Sequence, residues 1–438
     1  MAATERKSAI PLKETIVVPY NNGAVFTSGS MITILFGSGE ANTLMVQDSF
    51  FQFDYEITVE GNDQGVPPAN TYIRWLPMIF DHIEVIYGGE KIWNQDFNQQ
   101  AQLIDWVQKG GDYLDSMIYT GTTSKNLAYT NMKLTTGATP NKLYSCIIRL
   151  DELFKCFSGA NEIPLNELQN QIQLNLFLAD PATYLLQASN DTTNNQLKLF
   201  SPIINSPTIA NGISISDFSI SRFEFHLKDK VAFADRTGDG GYSYPFTMNQ
   251  IALRGINDAT FPPGSSVNIP FSIVTNNVEK MGIYFYKAAV TGAAPNPCSS
   301  FRPELINVNF KFGTNTSPFT PINVDNFVNP GVYKAIINST FDIARAEFAT
   351  NNYDFQMSYA PLAYQYTGTR KEDSHIVLAV DFTSSEDILG SPSYVWNSQY
   401  ILQANTSGQS LPACQACMWV VTKYILAIEG GKLTAVNA

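Results

Sequence analysis

Alternating apolar and polar residues dominate this sequence. In residues 51–60, FQFDYEITVE, the apolar side chains fall on one face and the polar side chains on the other, without interruption. A period of two with one apolar face is typical of an antiparallel strand that buries a single side. Similar segments recur at 31–36, 145–150, 171–178, 217–227, 306–312, 375–382 and 418–428. We therefore predict an all-β protein with few and short helices.

The stretch 80–107 predicts a hairpin followed by a helix. Residues 83–87 have a strand pattern, and Gly88-Gly89 can supply the positive φ angles of a tight two-residue turn. Ile92 then lies on the returning strand. Asp96 is placed to cap a helix whose apolar stripe begins at Phe97, with a Gly-Gly pair at 110–111 to end it. The unit is a short helix that packs against the end of a hairpin.

The second half of the chain repeats the order of strand patterns in the first half. Four pairs of segments correspond: 83–85 with 306–308, 146–150 with 375–380, 170–178 with 397–404, and 219–227 with 420–428. The first three pairs have nearly constant spacing, as expected for a duplication. We predict two copies of one β domain, 15–232 and 240–438, which follow an N-terminal arm of residues 1–14. The loop VAFADRTGDGGYSYP joins the two copies.

Composition indicates a protein that hides much of its surface. Apolar residues make up 44% of the chain, while charged residues make up only 15%, against a usual quarter. Aromatic residues, at 12%, are the type that interface cores favour. We therefore expect an obligate assembly. The net charge of −12 argues against direct nucleic-acid binding through a broad basic face.

Targeting signals are not recognisable in this sequence. Residues 1–14 lack the apolar core of a signal peptide, and no run of 18 apolar residues predicts a transmembrane helix. The five cysteines are an odd number in a large chain. We expect reduced thiols in a cytosolic or nuclear setting.

The motifs that could carry chemistry are weak. Cys414 and Cys417 form a CxxC motif, which serves redox exchange or half of a zinc site. The motif precedes a strand pattern and no second cysteine pair accompanies it, so two ordinary loop and strand residues are the favoured interpretation. The loop from 235 to 246 has Thr237 at the third position of a calcium loop but Phe246 at the twelfth, where a glutamate is needed, so a flexible inter-domain turn is the favoured interpretation. We expect no catalytic residues, no metal and no cofactor.

Carboxylates and histidines also have simple structural interpretations. Asp54 and Glu56 could act as acid and base across a groove in a glycosidase, but the regular alternation favours a solvated polar face. The three histidines are far apart in sequence. We expect His82 and His375 to start matching strands of the two copies, which is a structural position.

The hairpin and helix resemble a known family. The segment IEVIYGGEKI at 83–92, followed by a helix that ends near Trp106, resembles the first jelly roll of double jelly-roll major capsid proteins. These occur in virophages, polinton-like viruses and nucleocytoplasmic large DNA viruses. The residues that carry this structural motif are Gly88, Gly89, Ile92, Phe97 and Trp106. The second copy departs from the motif, since Gly313 stands alone where the first copy has two glycines.

The resemblance implies two tandem eight-stranded jelly-roll β-sandwiches with short helices in the inter-strand loops. It also implies a homotrimer that forms a pseudo-hexameric capsomer in the icosahedral shell of a double-stranded DNA virus. The expected partners are neighbouring capsomers and the minor capsid and penton proteins. The N-terminal segment would face the interior and touch minor capsid proteins or an inner membrane. The protein would reside in the virion, assembled inside the host cell and not secreted.

A carbohydrate-active protein is the alternative from another class. A secreted-type or cytosolic glycosidase or lectin could be built on two jelly rolls and use carboxylates and exposed aromatic residues. The sequence has neither an export signal nor a cluster of aromatic residues with carboxylates. A structural shell protein without enzymatic activity is the favoured prediction.

Overall fold

The structure of the chain is a computed structural model with many strands and few helices. It describes residues 12–21, 23–37, 42–61, 70–73, 76–96, 141–157, 162–181, 185–188, 190–191, 196–197, 201–202, 213–231, 246–259, 264–272, 275–276, 278–287, 305–312, 315–322, 377–381, 395–396, 399–406 and 414–437. Within these ranges, one short α-helix, α1, spans Leu150–Leu153. Three-residue or four-residue 3-10 helices lie at Leu76–Ile79, Lys155–Phe157 and Leu165–Glu167. None of the described helices has the length and apolarity needed to cross a bilayer.

The strands of the first half are short except for two. They are β1 Lys13–Val17, β2 Val25–Thr27, β3 Met31–Phe36, β4 Asn42–Met45, β5 Phe50–Gly61, β6 Asn70–Ile73, β7 Phe80–Tyr87, β8 Glu90–Asp96, β9 Asn141–Arg149, β10 Glu162–Pro164, β11 Ile172–Leu178, β12 Leu185–Ala188, β13 Asn190–Asp191, β14 Gln196–Leu197, β15 Ser201–Pro202 and β16 Ile213–Val231. The long strands β5 and β16 pair with each other.

The strands of the second half follow the same plan. They are β17 Phe246–Ala259, β18 Ser266–Ser272, β19 Thr275–Asn276, β20 Val278–Lys287, β21 Leu305–Phe312, β22 Asn315–Ile322, β23 Val377–Asp381, β24 Val395–Trp396, β25 Gln399–Thr406, β26 Cys414–Glu429 and β27 Lys432–Asn437. Among the described strands, none of β1 to β16 pairs with any of β17 to β27.

Both halves have the strand order of a jelly roll. In the second half, one sheet has the order β17-β26-β20-β23 and the other has the order β18-β25-β21-β22. In the first half, β16 lies between β5 and the pair β1 and β2, and β9 follows β5, while the second sheet has the order β3-β11-β7-β8. We number the eight main strands of each half in sequence order. One sheet then has the first, eighth, third and sixth strands side by side, and the other sheet has the second, seventh, fourth and fifth, as in a jelly roll. The predicted fold class is confirmed.

The four correspondences seen in the sequence join equivalent strands. Strand β7 matches β21, β9 matches β23, β11 matches β25, and β16 matches β26 in this strand order. One expectation is wrong. His82 lies in β7, a fourth strand, whereas the strand that follows His375 in the sequence is β23, a sixth strand, so the two histidines do not mark matching strands. His375 itself lies outside the described residues. Short apolar strands resemble one another, which is why the histidines suggested a false match.

The core of the first jelly roll is aromatic. The alternation predicted for 51–60 is present in β5, where Phe51, Phe53 and Tyr55 have no exposed surface. Phe51 stacks on Phe225 of β16 with ring centroids 4.8 Å apart, and Phe53 stacks on Phe223 at 5.4 Å. Residues of both sheets join one apolar cluster, so the two sheets face each other across this core.

The polar face of β5 differs from the prediction. Asp54 is only 4% exposed and forms an ion pair with Arg222, while Glu56 is half-buried. The pairing of β5 with β16 shifts register between Ser221 and Glu224, and Arg222 has a φ of +48° at this bulge. A bulge redirects a side chain, and here it brings the guanidinium over Asp54. The interpretation of Asp54 as part of a solvated face is therefore wrong.

Replacing Phe51 tests the aromatic core. We expect Phe51→Ala to lower the free energy of unfolding by about 3–5 kcal/mol, because it removes a fully buried ring and leaves a cavity. Chemical denaturation followed by tryptophan fluorescence measures this loss. The matched control is Gln52→Ala, a half-buried neighbour on the opposite face, for which we expect a change within about 0.5 kcal/mol. Equal losses in the two variants would contradict the assignment of faces.

Candidate assembly surfaces

The predicted glycine turn joins β7 to β8. Gly88 and Gly89 have φ angles of +59° and +87°, which residues with a side chain rarely adopt. Ile92 is half-buried and packs against the core of the first jelly roll. Phe97 and Trp106 lie outside the described residues, as does the predicted helix, and Asp96 is the last residue of β8. The role of these residues as a structural motif stays a prediction.

Tyr87 connects this turn to the second half of the chain. Its hydroxyl donates a hydrogen bond to the carbonyl oxygen of Gly431 at 2.5 Å. The hydroxyl oxygen of Tyr87 in turn accepts hydrogen bonds from the backbone N–H groups of Gln169, at 3.1 Å, and Asn170, at 3.0 Å. Tyr87 is only 5% exposed, and its hydroxyl group makes three hydrogen bonds with partners from two segments of the chain.

A second Gly-Gly turn meets the first. Gly430 and Gly431 connect β26 to β27 with φ angles of +56° and +79°. The backbone N–H of Gln169 donates to the carbonyl of Gly431, and the side-chain amide of Gln169 donates to that of Gly430, both at 3.0 Å. A Cβ on Gly431 would lie 2.6 Å from the Cγ of Gln169. We call Tyr87, Gln169, Asn170, Gly430 and Gly431 the inter-roll seam.

Apolar residues continue the inter-roll seam into the core. Leu426, Ile428 and Leu433 belong to β26 and β27, yet they lie in the same apolar cluster as the core of the first jelly roll and are at most 2% exposed. Strands β17 and β27 also contact β8. The C-terminal hairpin therefore closes the core of the first jelly roll. Sequence reasoning missed this contact, because a Gly-Gly pair predicts a tight turn but not what the turn packs against.

A row of polar residues crosses the outward face of the sheet β3-β11-β7-β8. The hydroxyl of Thr33 donates to the side-chain oxygen of Asn175 at 3.1 Å, and the amide of Asn175 donates to Glu84 at 3.3 Å. Glu84 also forms an ion pair with Lys91. Although these residues point away from the core, Thr33, Asn175 and Glu84 are 4–8% exposed. Such a connected row makes the outer face of this sheet rigid.

The pKa of Glu84 follows from this row. Burial by itself would raise the pKa, but the hydrogen bonds from Lys91 and Asn175 and the positive charge of Lys91 outweigh it. The pKa of Glu84 is therefore lower than its ordinary value of 4.5. Glu84 consequently carries a negative charge at neutral pH.

Strand β1 is fixed to β16 by a polar cluster. Glu14 pairs with Lys228 and lies 2.6 Å from the ring nitrogen Nδ1 of His226. These hydrogen bonds, with that from Lys228 the stronger, lower the pKa of Glu14. The ring of His226 stacks on Phe50 with centroids 4.6 Å apart. The cluster explains why β1 begins at Lys13, two residues before the predicted start of the first domain.

Candidate chemistry is sparse in the described part of the chain. No group of three or more metal-ligating side chains is found there. Cys146 and Cys156 are buried thiols that form no disulfide, and burial raises the pKa of Cys146 to about 12 and that of Cys156 well above its ordinary value. Such thiols are poor nucleophiles at neutral pH. Cys414 and Cys417 both lie within the paired strand β26.

Comparison with known proteins places this fold among viral capsid proteins. No family model and no curated protein matches the chain. The mavirus major capsid protein has a TM-score of 0.59 at 10% identity, with 97% of this chain and 90% of that chain covered. A chain of the Sputnik virophage has a TM-score of 0.54 at 12% identity, covering 97% and 89%. A chain of the PBCV-1 virus capsid has a TM-score of 0.51 at 10% identity, covering 100% and 99%.

These similarities extend over nearly the whole chain and include both jelly rolls. The chain has the double jelly-roll fold that these viral major capsid proteins share. The resemblance seen in the sequence is confirmed at the level of the fold.

The close approach at Gly431 gives a testable prediction. Gly431→Ala places a side chain on Gln169 and on a residue with positive φ, whereas Gly29→Ala meets open space at nearly the same φ of +76°. We expect Gly29→Ala to lower the free energy of unfolding by about 1 kcal/mol through backbone strain alone. We expect Gly431→Ala to lower the free energy of unfolding by about 1–2 kcal/mol more than Gly29→Ala does, because the side chain of Gln169 must move and break its hydrogen bonds. Urea denaturation measures both, and equal losses would refute the inter-roll seam.

The charge on Glu84 gives a prediction about pH. A carboxyl whose pKa is lower in the folded protein stabilises the fold above its unfolded pKa, and this contribution is lost as the pH falls below 4.5 through the folded pKa. We expect Glu84→Gln to reduce the free energy of unfolding at neutral pH by about 1–3 kcal/mol. The difference in free energy of unfolding between the wild type and Glu84→Gln should become smaller below pH 4.5.

Denaturation curves collected across the acid range test this dependence. The matched control is Glu90→Gln, which removes an exposed carboxyl from the same hairpin and should change stability by at most about 0.5 kcal/mol. A difference between wild type and Glu84→Gln that does not vary with pH would contradict the role of the charge.

Proposed function

We propose that this chain is a non-enzymatic major capsid protein. The observation that carries the proposal is the repeated jelly-roll strand order in both halves, together with structural similarity to capsid proteins over 97–100% of the chain. The duplication predicted from the sequence supplies the domain limits that we propose, 15–232 and 240–438. In this proposal the structural motif of Gly88, Gly89, Ile92, Phe97 and Trp106 shapes the first jelly roll and has no catalytic role.

A homotrimer is the assembly that best uses this architecture. Three copies of a chain with two similar jelly rolls contribute six similar blocks, which lets a threefold object fill a position of nearly sixfold symmetry. The inter-roll seam supports this proposal, because it joins the two blocks of one chain through buried apolar residues and hydrogen bonds. Such capsomers would tile the icosahedral shell of a double-stranded DNA virus.

The remaining partners follow from the same proposal. Capsomers contact neighbouring capsomers and the minor capsid and penton proteins, and the inner side of the shell can face a membrane. The low charged fraction and the net charge of −12 support protein contacts over direct, sequence-specific binding of nucleic acid. The site of action is the virion, after assembly inside the host cell.

The carbohydrate-active alternative has no specific observation in its favour. Its candidate carboxylates were Asp54 and Glu56, which alternate onto one face of β5. Asp54 is buried beneath Arg222 and therefore does not line an open groove. A glycosidase site built on this pair would need both carboxylates to face the groove, and Asp54 does not.

The trimer is directly testable. We expect the purified chain to have three times the 48.5 kDa mass of one copy in light scattering after gel filtration. Electron microscopy should show compact particles with a pseudo-hexagonal outline. The same sample in guanidinium chloride, which should return the mass of a single chain, serves as the control. A stable monomer at micromolar concentration would argue strongly against a capsid role.

A further inference from the structure

The exposed apolar residues of the described chain are concentrated in one place. Among the residues whose side chains are described, the six exposed large apolar side chains all lie between residues 12 and 31. Five of them form what we call the N-terminal apolar surface: Leu12, Ile16, Val18, Tyr20 and Val25, which are 46–72% exposed. Side chains of this size present several hundred Å², and a patch on the order of 300–600 Å² on a monomer is often functional.

This surface is ordered and preformed. Ile16, Val18 and Tyr20 occupy alternate positions, with Glu14 and Leu12 continuing the same face, and Val17 on the other face of β1 packs against the core. The polar cluster around Glu14 fixes the strand to β16.

Hydrogen bonds fix the chain beyond β1 as well. The N–H of Tyr20 donates to the carbonyl of Thr33 at 2.8 Å, and the side chain of Asn21 donates to the carbonyl of Met31 at 2.5 Å. A rigid apolar surface loses little conformational entropy when a partner covers it.

Strand β1 also offers a backbone edge. Among the described strands, β1 pairs with β16 alone, so no other described strand covers its second edge. Natural proteins usually protect such an edge with charged residues or cover it. Here the exposed face beside the edge is apolar, which favours a covering partner over solvent.

The net charge of the chain limits the kinds of partner that can bind the N-terminal apolar surface. An anionic membrane or a nucleic acid would repel a chain with a net charge of −12, and the one carboxylate in the strand, Glu14, already forms an ion pair with Lys228 and lies 2.6 Å from Nδ1 of His226. Two copies of so acidic a chain can approach only where the contact is apolar and locally balanced in charge. Obligate contacts between subunits are also the more hydrophobic class of interface.

We propose that the N-terminal apolar surface is a contact between copies of this chain within the homotrimer. This inference rests on the proposed capsid function and names the residues through which copies meet. It differs from the expectation for the N-terminal segment, which assigned minor capsid proteins or a membrane as the partner.

A charge substitution in the full-length chain tests the contact. Ile16→Asp should weaken self-association by about 30-fold or more, because an unpaired carboxylate would be buried in an apolar contact. The matched control is Asn94→Asp, which adds the same charge at an exposed position on the other sheet of the jelly roll. Sedimentation velocity at a series of concentrations measures association, and circular dichroism checks that both variants are folded.

The outcomes separate this inference from the proposed function. The contact is supported if the wild-type chain and Asn94→Asp both form a trimer and Ile16→Asp dissociates. If the wild-type chain is a trimer and Ile16→Asp is also a trimer, the proposed contact is wrong but the proposed function stands. If the wild-type chain is a monomer, the proposed function is wrong as well. If the wild-type chain binds phosphatidylserine vesicles, and Ile16→Asp abolishes this binding without changing the oligomeric state, the surface binds a membrane and the inference is wrong.

A crosslinking measurement covers the case in which Ile16→Asp fails to fold. Tyr20 is 72% exposed, so replacing it by the photoreactive benzoylphenylalanine keeps an aromatic ring at this position without disturbing the core. Irradiation of the assembled protein should give a covalent product of twice the chain mass, with the second copy identified by mass spectrometry. Crosslinks confined to the same chain would overturn the proposed contact.

Discussion

Insertion of the last strand of each jelly roll into the middle of a sheet is the constraint on which the structure depends. Strand β16 pairs with β4 and β5 on one side and with β1 and β2 on the other, and β26 lies between β17 and β20. The aromatic residues of β5 are buried only when β16 supplies Phe223 and Phe225. Neither core can therefore be completed before the end of its domain is available.

The same constraint joins the two jelly rolls. Because β26 is the last central strand, the chain leaves the second sandwich at its end and turns back as β27. This turn carries Gly430 and Gly431 to Tyr87, and the apolar residues of the hairpin enter the core of the first jelly roll. The two sandwiches consequently share buried residues without sharing a sheet, which suits a building block that must keep its shape in a shell.

The outer surfaces differ in what they offer to a partner. The sheet β3-β11-β7-β8 presents a connected polar row in which each group already has a partner, so it gains little from further hydrogen bonds. Strand β1 instead presents apolar side chains beside a backbone edge that no other described strand covers. Burial of that surface is favourable without any change in the fold, and this makes it the part of the described chain best prepared for self-association.

The sequence by itself determined the all-β class, the alternation in β5, the glycine turn after β7 and the order of the repeated strands, because these depend on neighbouring residues and on period. Only the tertiary structure decided which distant groups meet. The burial of Asp54 depends on a bulge at Arg222, 168 residues away, and the bond from Tyr87 reaches Gly431 across 344 residues. Local patterns specify a strand and its buried face, but long-range pairing selects its neighbours, and no local signal records that choice.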